Sequence, residues 1–188
     1  MADALPVPAG CGERFRHLLD RRRRTRRIKI SLVAAGGLIL ILVSSLWRPP
    51  LHLLWNASPS VPIGLYRVER GTIRRGDFVI AWPPEKARIL AARRSYLPVD
   101  VPLLKRVAGI AGDCICAQGN LIRLERRLVV RRSSDGEGRQ MPFWQGCTRL
   151  EAGQYFLLGD DPSSFDSRYF GLVAGDAILG RGELLWRR

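Results

Sequence analysis

The stretch Leu103-Leu-Lys-Arg-Val-Ala-Gly-Ile-Ala-Gly-Asp113 begins as an apolar strand and ends in a turn rich in glycine. In a strand, Leu103, Lys105 and Val107 share one face and Arg106 points to the other. Lys105 is therefore expected among apolar side chains, where burial lowers the pKa of an ammonium group. A neutral lysine can act as a general base. On this segment alone, a lysine that reaches solvent from a strand edge is the alternative.

Short strands separated by Gly, Pro and Asp surround this stretch and predict a mainly β domain. The candidate strands are Gly64–Glu69, Asp77–Ala81, Leu103–Ile110, Leu121–Leu124, Leu128–Arg131, Tyr155–Leu158 and Ala177–Trp186. Residues Pro84–Ser95 interrupt the pattern, because helix-forming residues follow a proline and predict a short surface helix. Residues Arg132–Arg139 are polar and predict a loop.

The N-terminal part of the chain has a different composition. Residues 1–29 contain nine Lys or Arg residues, whereas no charged residue occurs from Ile30 to Trp47. A run of 18 uncharged residues is just long enough to cross a bilayer as a helix, and flanking basic residues stay in the cytoplasm. We therefore predict a basic cytoplasmic segment (1–29), a single transmembrane anchor (30–47) and an extracytoplasmic domain (48–188). This places the chain in the cytoplasmic (inner) membrane, with its domain in the periplasm.

Other interpretations of the N-terminal part explain it less well. A domain of this size would have difficulty covering every face of so apolar a helix. A cleaved secretion signal is disfavoured because the basic region is long and no small-x-small site follows. The formal net charge of +14 is compatible with nucleic-acid binding. An orientation signal that contacts anionic lipid explains the same residues, so nucleic acid is not expected as a partner.

Two further segments contain residues that could take part in chemistry. Ser58 and Ser60 lie in a turn stiffened by prolines, and a rigid turn suits a nucleophile that must approach a carbonyl at a fixed angle. The segment Gly159–Gly171 is dense in short polar residues, which predicts caps and ion pairs such as Asp166 with Arg168. An ordinary Ser-Pro turn and an ordinary surface loop are the alternatives.

The histidines and cysteines exclude some kinds of site. His17 and His52 are not clustered with acids or cysteines, so we predict neither a Ser–His–Asp triad nor a metal site, and no cofactor. The Cys-x-Cys spacing of Cys114 and Cys116 is a poor zinc signal. A disulfide is chemically allowed in the exported part, although its three cysteines, the third being Cys147, leave one unpaired.

Taken together and in this order, the segments resemble type I signal peptidases. The matching motifs are Ser60-Val-Pro62, Lys105-Arg-Val-Ala-Gly-Ile-Ala-Gly-Asp113, and Gly159-Asp160 followed by Ser164-Phe-Asp-Ser-Arg-Tyr-Phe-Gly171. Within that family, the chain is similar to the TraF-like branch of conjugative-transfer peptidases. The similarity to the branch rests on Ser60-Val-Pro-Ile-Gly-Leu-Tyr66, Arg93-Arg-Ser-Tyr-Leu-Pro98 and Trp144-Gln-Gly-Cys147. The dipeptide Asp161-Pro162 departs from the pattern and affects the shape of the loop.

The resemblance implies a role for each matching residue. It implies that Ser60 is the nucleophile and Lys105 its general base, and that the Ser58 hydroxyl joins the Ser60 N–H group in an oxyanion hole. It further implies that Ser164 hydrogen-bonds the lysine. The ion pair of Asp166 and Arg168 supports the site, and Asp166 is tied to activity.

The resemblance also implies a disulfide, a fold and a function. Cys116 and Cys147 form the pair and leave Cys114 free. The implied fold is a twisted, mostly antiparallel β-sheet with its cleft facing the membrane. The implied function is that of a membrane-bound serine endopeptidase with a Ser–Lys dyad. It would cleave leader sequences from membrane-inserted precursors and would mature a conjugative pilin. A general signal peptidase and a catalytically silent membrane scaffold are the alternatives.

Overall fold

A computed structural model describes residues 11–46, 51–125 and 127–188. The chain divides into two compact units, residues 1–50 and residues 51–188. The first unit contains one helix, α1 (Cys11–Leu46). Its apolar side chains between Ile28 and Val43 are exposed.

The predicted anchor, residues 30–47, lies within α1 except for Trp47, which is outside the described residues. The first ten residues of the predicted basic segment are outside them too. Within the described part of the chain, no helix is both long enough and apolar enough to cross a membrane. The transmembrane anchor is therefore not confirmed.

The second unit is built mainly of β-strands, as predicted. Its strands are β1 (Leu53–Asn56), β2 (Gly64–Glu69), β3 (Phe78–Ala81), β4 (Leu103–Gly109), β5 (Cys114–Gln118), β6 (Leu121–Leu124), β7 (Arg127–Val130), β8 (Gly146–Arg149), β9 (Gln154–Leu158), β10 (Val173–Ala174) and β11 (Ile178–Arg187). Its helices are α2 (Glu85–Arg93) and α3 (Ser167–Phe170).

The larger of two sheets has seven strands in the order β1-β2-β11-β3-β4-β9-β10, and every neighbouring pair is antiparallel. Alternating side chains place one apolar cluster on each face of its centre. One cluster contains Val79, Ala81, Val107, Leu157 and Val173, and the other contains Val61, Tyr66, Ile80 and Leu104. Lys105 lies directly opposite Val79 in the register of β3 and β4, so it projects from the face of the first cluster.

The smaller sheet has four antiparallel strands in the order β7-β6-β5-β8. Its inner face is apolar and belongs to a third cluster, which contains Ile115, Ala117, Ile122, Leu124, Leu150, Phe156 and Leu158. Phe156 and Leu158 come from β9 of the larger sheet, so β9 joins the two sheets through shared core side chains.

The strands with clear alternation were predicted well. Gly64–Glu69 and Leu121–Leu124 have the predicted bounds. Each of the other five predicted strands differs from the observed strand by one or two residues when both ends are counted. The predicted surface helix is confirmed as α2. The strands β1, β5, β8 and β10 were missed, because they are short or contain Cys, Asn, Gln and Gly, which have weak strand signals.

Candidate active site

The turn that contains Ser60 is held by one side chain that the sequence analysis gave no role. At the end of β1, the Asn56 amide donates to the carbonyl oxygens of Ser58 (2.8 Å), Val61 (3.1 Å) and Pro62 (3.1 Å). Its oxygen accepts the Ser58 N–H group at 3.2 Å. Because Asn commonly bonds the backbone two residues on, an Asn shortly before a Ser-Pro turn is a signal that could have identified this residue.

A second contact fixes the other end of the turn. The hydroxyl of Tyr66, which is fully buried in β2, donates to the Pro62 carbonyl at 2.7 Å. The Ser60 carbonyl accepts the Asp160 N–H group at 2.6 Å. Ser60 itself is only 6% exposed, so its hydroxyl is held in place beneath the surface.

Lys105 lies beside this hydroxyl. Its Nζ atom is 2.8 Å from Ser60 Oγ, and the lysine is 4% exposed. Burial lowers the pKa of Lys105 to about 8, against the opposing effect of the Asp166 carboxylate, and the Arg168 cation lowers the pKa further. The prediction that Lys105 projects from β4 among apolar side chains is therefore confirmed, and the lysine is buried rather than at a solvent-exposed edge.

Ser58 also contacts Ser60. The Ser58 hydroxyl donates to Ser60 Oγ at 3.1 Å, and the Ser60 N–H group donates to Ser58 Oγ at 3.3 Å. The hydroxyl and the N–H group therefore face each other across the turn. If the oxygen atom of a ligand lay between these two groups, it could accept hydrogen bonds from both the Ser60 N–H group and the Ser58 hydroxyl.

Asp166 and Arg168 form a buried ion pair at 2.6 Å, in which Asp166 is the N-cap of α3 and Arg168 lies in the helix. The Asp166 carboxylate accepts four donors, namely Gly159 N (2.7 Å), Arg168 N (3.0 Å), Arg168 Nε (2.8 Å) and the same arginine's terminal nitrogen. Arg168 also donates to the carbonyls of Asp161 and Pro162. The pair therefore fixes the whole loop that approaches Lys105.

Ser164 does not make the hydrogen bond that the resemblance implied. It is buried, but its Oγ atom has no hydrogen-bond partner among the described residues. Ser164 nevertheless lies at the site, since a Cβ atom on Gly159 would meet Ser164 Oγ and would come within 3.1 Å of the Ser60 carbonyl. The absence of a side chain at Gly159 therefore lets Ser164 and the turn that contains Ser60 approach each other.

Arg106 and Asp160 form another link that the sequence analysis did not predict. The Arg106 guanidinium makes two bonds of 3.0 Å to the Asp160 carboxylate and lies over the Phe78 ring. The Asp160 N–H group also donates to the Ser60 carbonyl, so Asp160 links β4 to the turn that contains Ser60. Lys105 and Arg106 thus project from opposite faces of β4, where Lys105 contacts Ser60 and Arg106 contacts Asp160.

Ser60 and Lys105 open into a cavity of about 580 Å³. Its apolar lining includes Leu54, Trp55, Leu97, Val101, Leu103, Leu104, Met141, Phe165 and Tyr169. Ser58 and Ser164 line it as well, whereas Asp166 and Arg168 support it from behind. A cavity of this size is typical of ligand sites.

Three of the four cysteines, Cys114, Cys116 and Cys147, lie in the smaller sheet. Cys116 and Cys147 are opposite each other on β5 and β8 and form a disulfide, and Cys114 is a free thiol. Neither member of the disulfide is among the residues that line the cavity. Among the described residues, no cluster of three or more potential metal ligands occurs.

A family model and several known proteins match this chain. The family model described as "Signal peptidase, peptidase S26" matches residues 24–187. A probable conjugal transfer protein TraF of Sinorhizobium fredii is 31% identical over 181 residues, covering 88% of this chain and 93% of its own. A conjugal transfer protein TraF of Agrobacterium fabrum is 34% identical over 144 residues (66% and 77%). A plasmid transfer protein TraF of Escherichia coli is 27% identical over 177 residues (87% and 99%). A crystal structure of a signal peptidase I from Enterococcus faecalis is similar with a TM-score of 0.36 and 19% identity, covering 60% of this chain and 98% of that one.

Proposed function

Because the chain belongs to the signal peptidases of peptidase family S26, we propose that it is a serine endopeptidase with Ser60 as nucleophile and Lys105 as general base. The single observation that supports this most is the 2.8 Å contact between Lys105 Nζ and Ser60 Oγ, with both residues buried. A nucleophile and a base within hydrogen-bond reach are what acyl transfer requires.

The pKa of Lys105 fits this role. At about 8 rather than 10.5, roughly one-tenth of the lysine is neutral at pH 7, about 300 times more than for an ordinary lysine. The neutral amine accepts the Ser60 proton as Oγ attacks the carbonyl carbon of the scissile bond. The resulting ammonium group then protonates the leaving amine. In the second half of the reaction, Lys105 takes a proton from the water that hydrolyses the acyl-enzyme.

The developing oxyanion needs donors at a fixed place. In this proposal the Ser60 N–H group and the Ser58 hydroxyl provide them, once the substrate oxygen replaces the contact that the two groups make with each other. Losing one such donor typically costs about 10²–10³ in rate. The Asn56 amide is a positioning residue here, because it holds the carbonyls on both sides of the nucleophile.

The proposal extends to where the enzyme acts and on what. Residues 30–47 are proposed as a membrane anchor with the basic residues 1–29 in the cytoplasm, so that residues 48–188 act in the periplasm on membrane-inserted precursors. The apolar side chains exposed along α1 between Ile28 and Val43 support this placement. The relatives named as conjugal or plasmid transfer proteins TraF favour a role in conjugative transfer, and we propose a conjugative pilin precursor as the substrate. A general signal peptidase is the second candidate, because the matching family model is described only as "Signal peptidase, peptidase S26".

The test is the cleavage of a co-expressed prepilin, followed by mass spectrometry of the product. We expect Ser60→Ala and Lys105→Arg to lose at least ~10³-fold in activity, because arginine keeps the positive charge but cannot give up its proton. The exposed residues Ser133 and Lys86 provide matched controls as Ser133→Ala and Lys86→Arg, which should cleave like the wild type.

The outcomes separate the alternatives. Cleavage that survives both changes at Ser60 and Lys105 would rule out the dyad. A folded wild-type protein that cleaves neither prepilin nor ordinary secretory precursors would favour a silent scaffold. Cleavage of secretory precursors in preference to prepilin would favour the general signal peptidase.

A further inference from the structure

We propose that Tyr96, Met141 and Phe165 form a subsite for an apolar side chain of the precursor, and that Asp135 holds one wall of this subsite in place. We call these three residues the Tyr96 subsite. The inference rests on the proposed peptidase function and adds a determinant of substrate choice to it.

The Tyr96 subsite belongs to the same cavity as the nucleophile. All three of its residues line the cavity of about 580 Å³ into which Ser60 and Lys105 open. Met141 is buried, and Tyr96 and Phe165 are half-buried. A peptide whose scissile bond lies at Ser60 can therefore reach these side chains without leaving the cavity.

The surface of the subsite is apolar and largely aromatic. The Tyr96 and Phe165 rings are 5.5 Å apart, and Phe165 stacks on Tyr169 at 6.0 Å. The sulfur of Met141 lies 3.6 Å from the Tyr96 hydroxyl oxygen. Rings and a thioether favour an aliphatic or aromatic side chain of the substrate over a charged one.

The charged groups that contact this surface are paired with one another, because the Arg94 and Arg139 guanidinium groups both form ion pairs with the Asp135 carboxylate. The Asp135 carboxylate accepts hydrogen bonds from the Tyr96 hydroxyl, from Arg139 Nε (2.7 Å) and from the N–H groups of Glu137 (3.0 Å) and Arg139 (2.8 Å). A carboxylate has about four lone-pair positions, so these donors fill it. Asp135 is therefore a positioning residue and not a binding group for a basic substrate.

The bonds of Asp135 connect two segments that are distant in sequence. We call residues Arg132–Met141 the Asp135 loop. The Tyr96 hydroxyl joins this loop to the segment after α2, and Arg94 adds a bond to the Gln140 carbonyl at 2.9 Å. Within the loop, Met141 N–H donates to the Ser133 carbonyl at 2.9 Å, which fixes the residue that closes the subsite.

The experiment measures cleavage of a set of precursor peptides in which each position near the scissile bond is varied through side chains of increasing size. We expect the wild type to prefer an apolar residue at one position of the peptide. Met141→Ala should change the preference at that position, so that kcat/KM for larger side chains rises by about tenfold relative to smaller ones. Tyr96→Phe keeps the ring but removes the hydroxyl, and we expect it to raise KM several-fold for the same peptides. The pH midpoint of activity, which Lys105 sets, should not move in either variant.

A matched control and the opposing outcomes complete the test. Leu128 is 60% exposed on β7 and is not a residue of the cavity, so Leu128→Ala should keep the wild-type profile. Thermal melts confirm that each variant is folded, and Tyr96→Phe tests the subsite if Met141→Ala does not fold. An active, folded Met141→Ala or Tyr96→Phe with the wild-type profile and KM at every position would overturn the subsite alone. A wild type that cleaves no precursor would overturn the proposed function and the subsite with it.

Discussion

Replacement of Asp166 by Asn tests the electrostatics of the site in two ways at once. The carboxylate accepts four hydrogen bonds, two on each oxygen, and is completely buried. In Asn one oxygen becomes an NH₂ group, which must face two donors and loses two bonds. Removing one partner of a buried ion pair costs about 3–5 kcal/mol, so we expect a thermal midpoint lower by on the order of 10 °C.

The same change should move the pH dependence of cleavage in a direction that can be derived. The Asp166 charge is the largest influence that raises the pKa of Lys105 against its burial. Without it, and with the Arg168 cation left unpaired, the pKa of Lys105 falls further below about 8. In the proposed mechanism, activity depends on the neutral amine and rises with pH through this pKa. We therefore expect the midpoint near pH 8 in the wild type and at lower pH in Asp166→Asn.

The assay is kcat/KM for a fluorogenic precursor peptide between pH 5.5 and 10, at a temperature where circular dichroism shows the variant folded. Asp160→Asn is the graded control, because Asp160 raises the pKa of Lys105 less than Asp166 does and is exposed. Its midpoint should move in the same direction by a smaller amount, with little loss of stability. A folded Asp166→Asn whose midpoint equals or exceeds that of the wild type would refute the reasoning.

Three further changes have expected results. Cys116→Ser with Cys147→Ser opens a link that spans 31 residues, and the loop-closure relation gives about 4 kcal/mol of lost stability; an unchanged denaturant midpoint under oxidising conditions would contradict this. Gly159→Ala places a methyl group against Ser164 and the nucleophile turn, so kcat/KM should fall by about 10²-fold; wild-type kinetics would show that the contact relaxes freely. Tyr66→Phe removes a buried 2.7 Å hydrogen bond and should cost about 1 kcal/mol of unfolding free energy, measured by urea denaturation, and no loss would mean that water replaces the bond.

Much of the fold followed from local patterns. The alternation in Gly64–Glu69 and Leu121–Leu124 identified half-buried strands, because side chains of period two sort onto a core face and an outer face. Strands such as Cys114–Gln118 and Gly146–Arg149 exist because they pair with each other and share a disulfide. Their own composition carries little strand preference, so sequence reasoning missed them.

The candidate site divides in a similar way. The sequence alone singled out Ser60, Lys105 and the segment Gly159–Gly171, and it placed Lys105 on the apolar face of its strand. The family resemblance also implied a bond between Ser164 and the lysine, which the structure does not contain. The role of Asp160 was not visible, since its N–H group reaches the Ser60 carbonyl only after folding. Asn56 acts on carbonyls two to six residues along the chain, so its local signal was present but overlooked.

The sequence by itself determined which side chains are apolar, which strands alternate and in what order the chemical groups occur. Only the tertiary structure decided that Lys105 Nζ meets Ser60 Oγ across 45 residues of chain, and that Tyr96 meets Asp135 across 39. The physical reason is that periodicity records which face of an element avoids water but not which other element covers that face. This choice matters most for Lys105. The strand phase predicts its burial, which lowers the pKa of its amine, but only the fold places the turn that contains Ser60 over that amine.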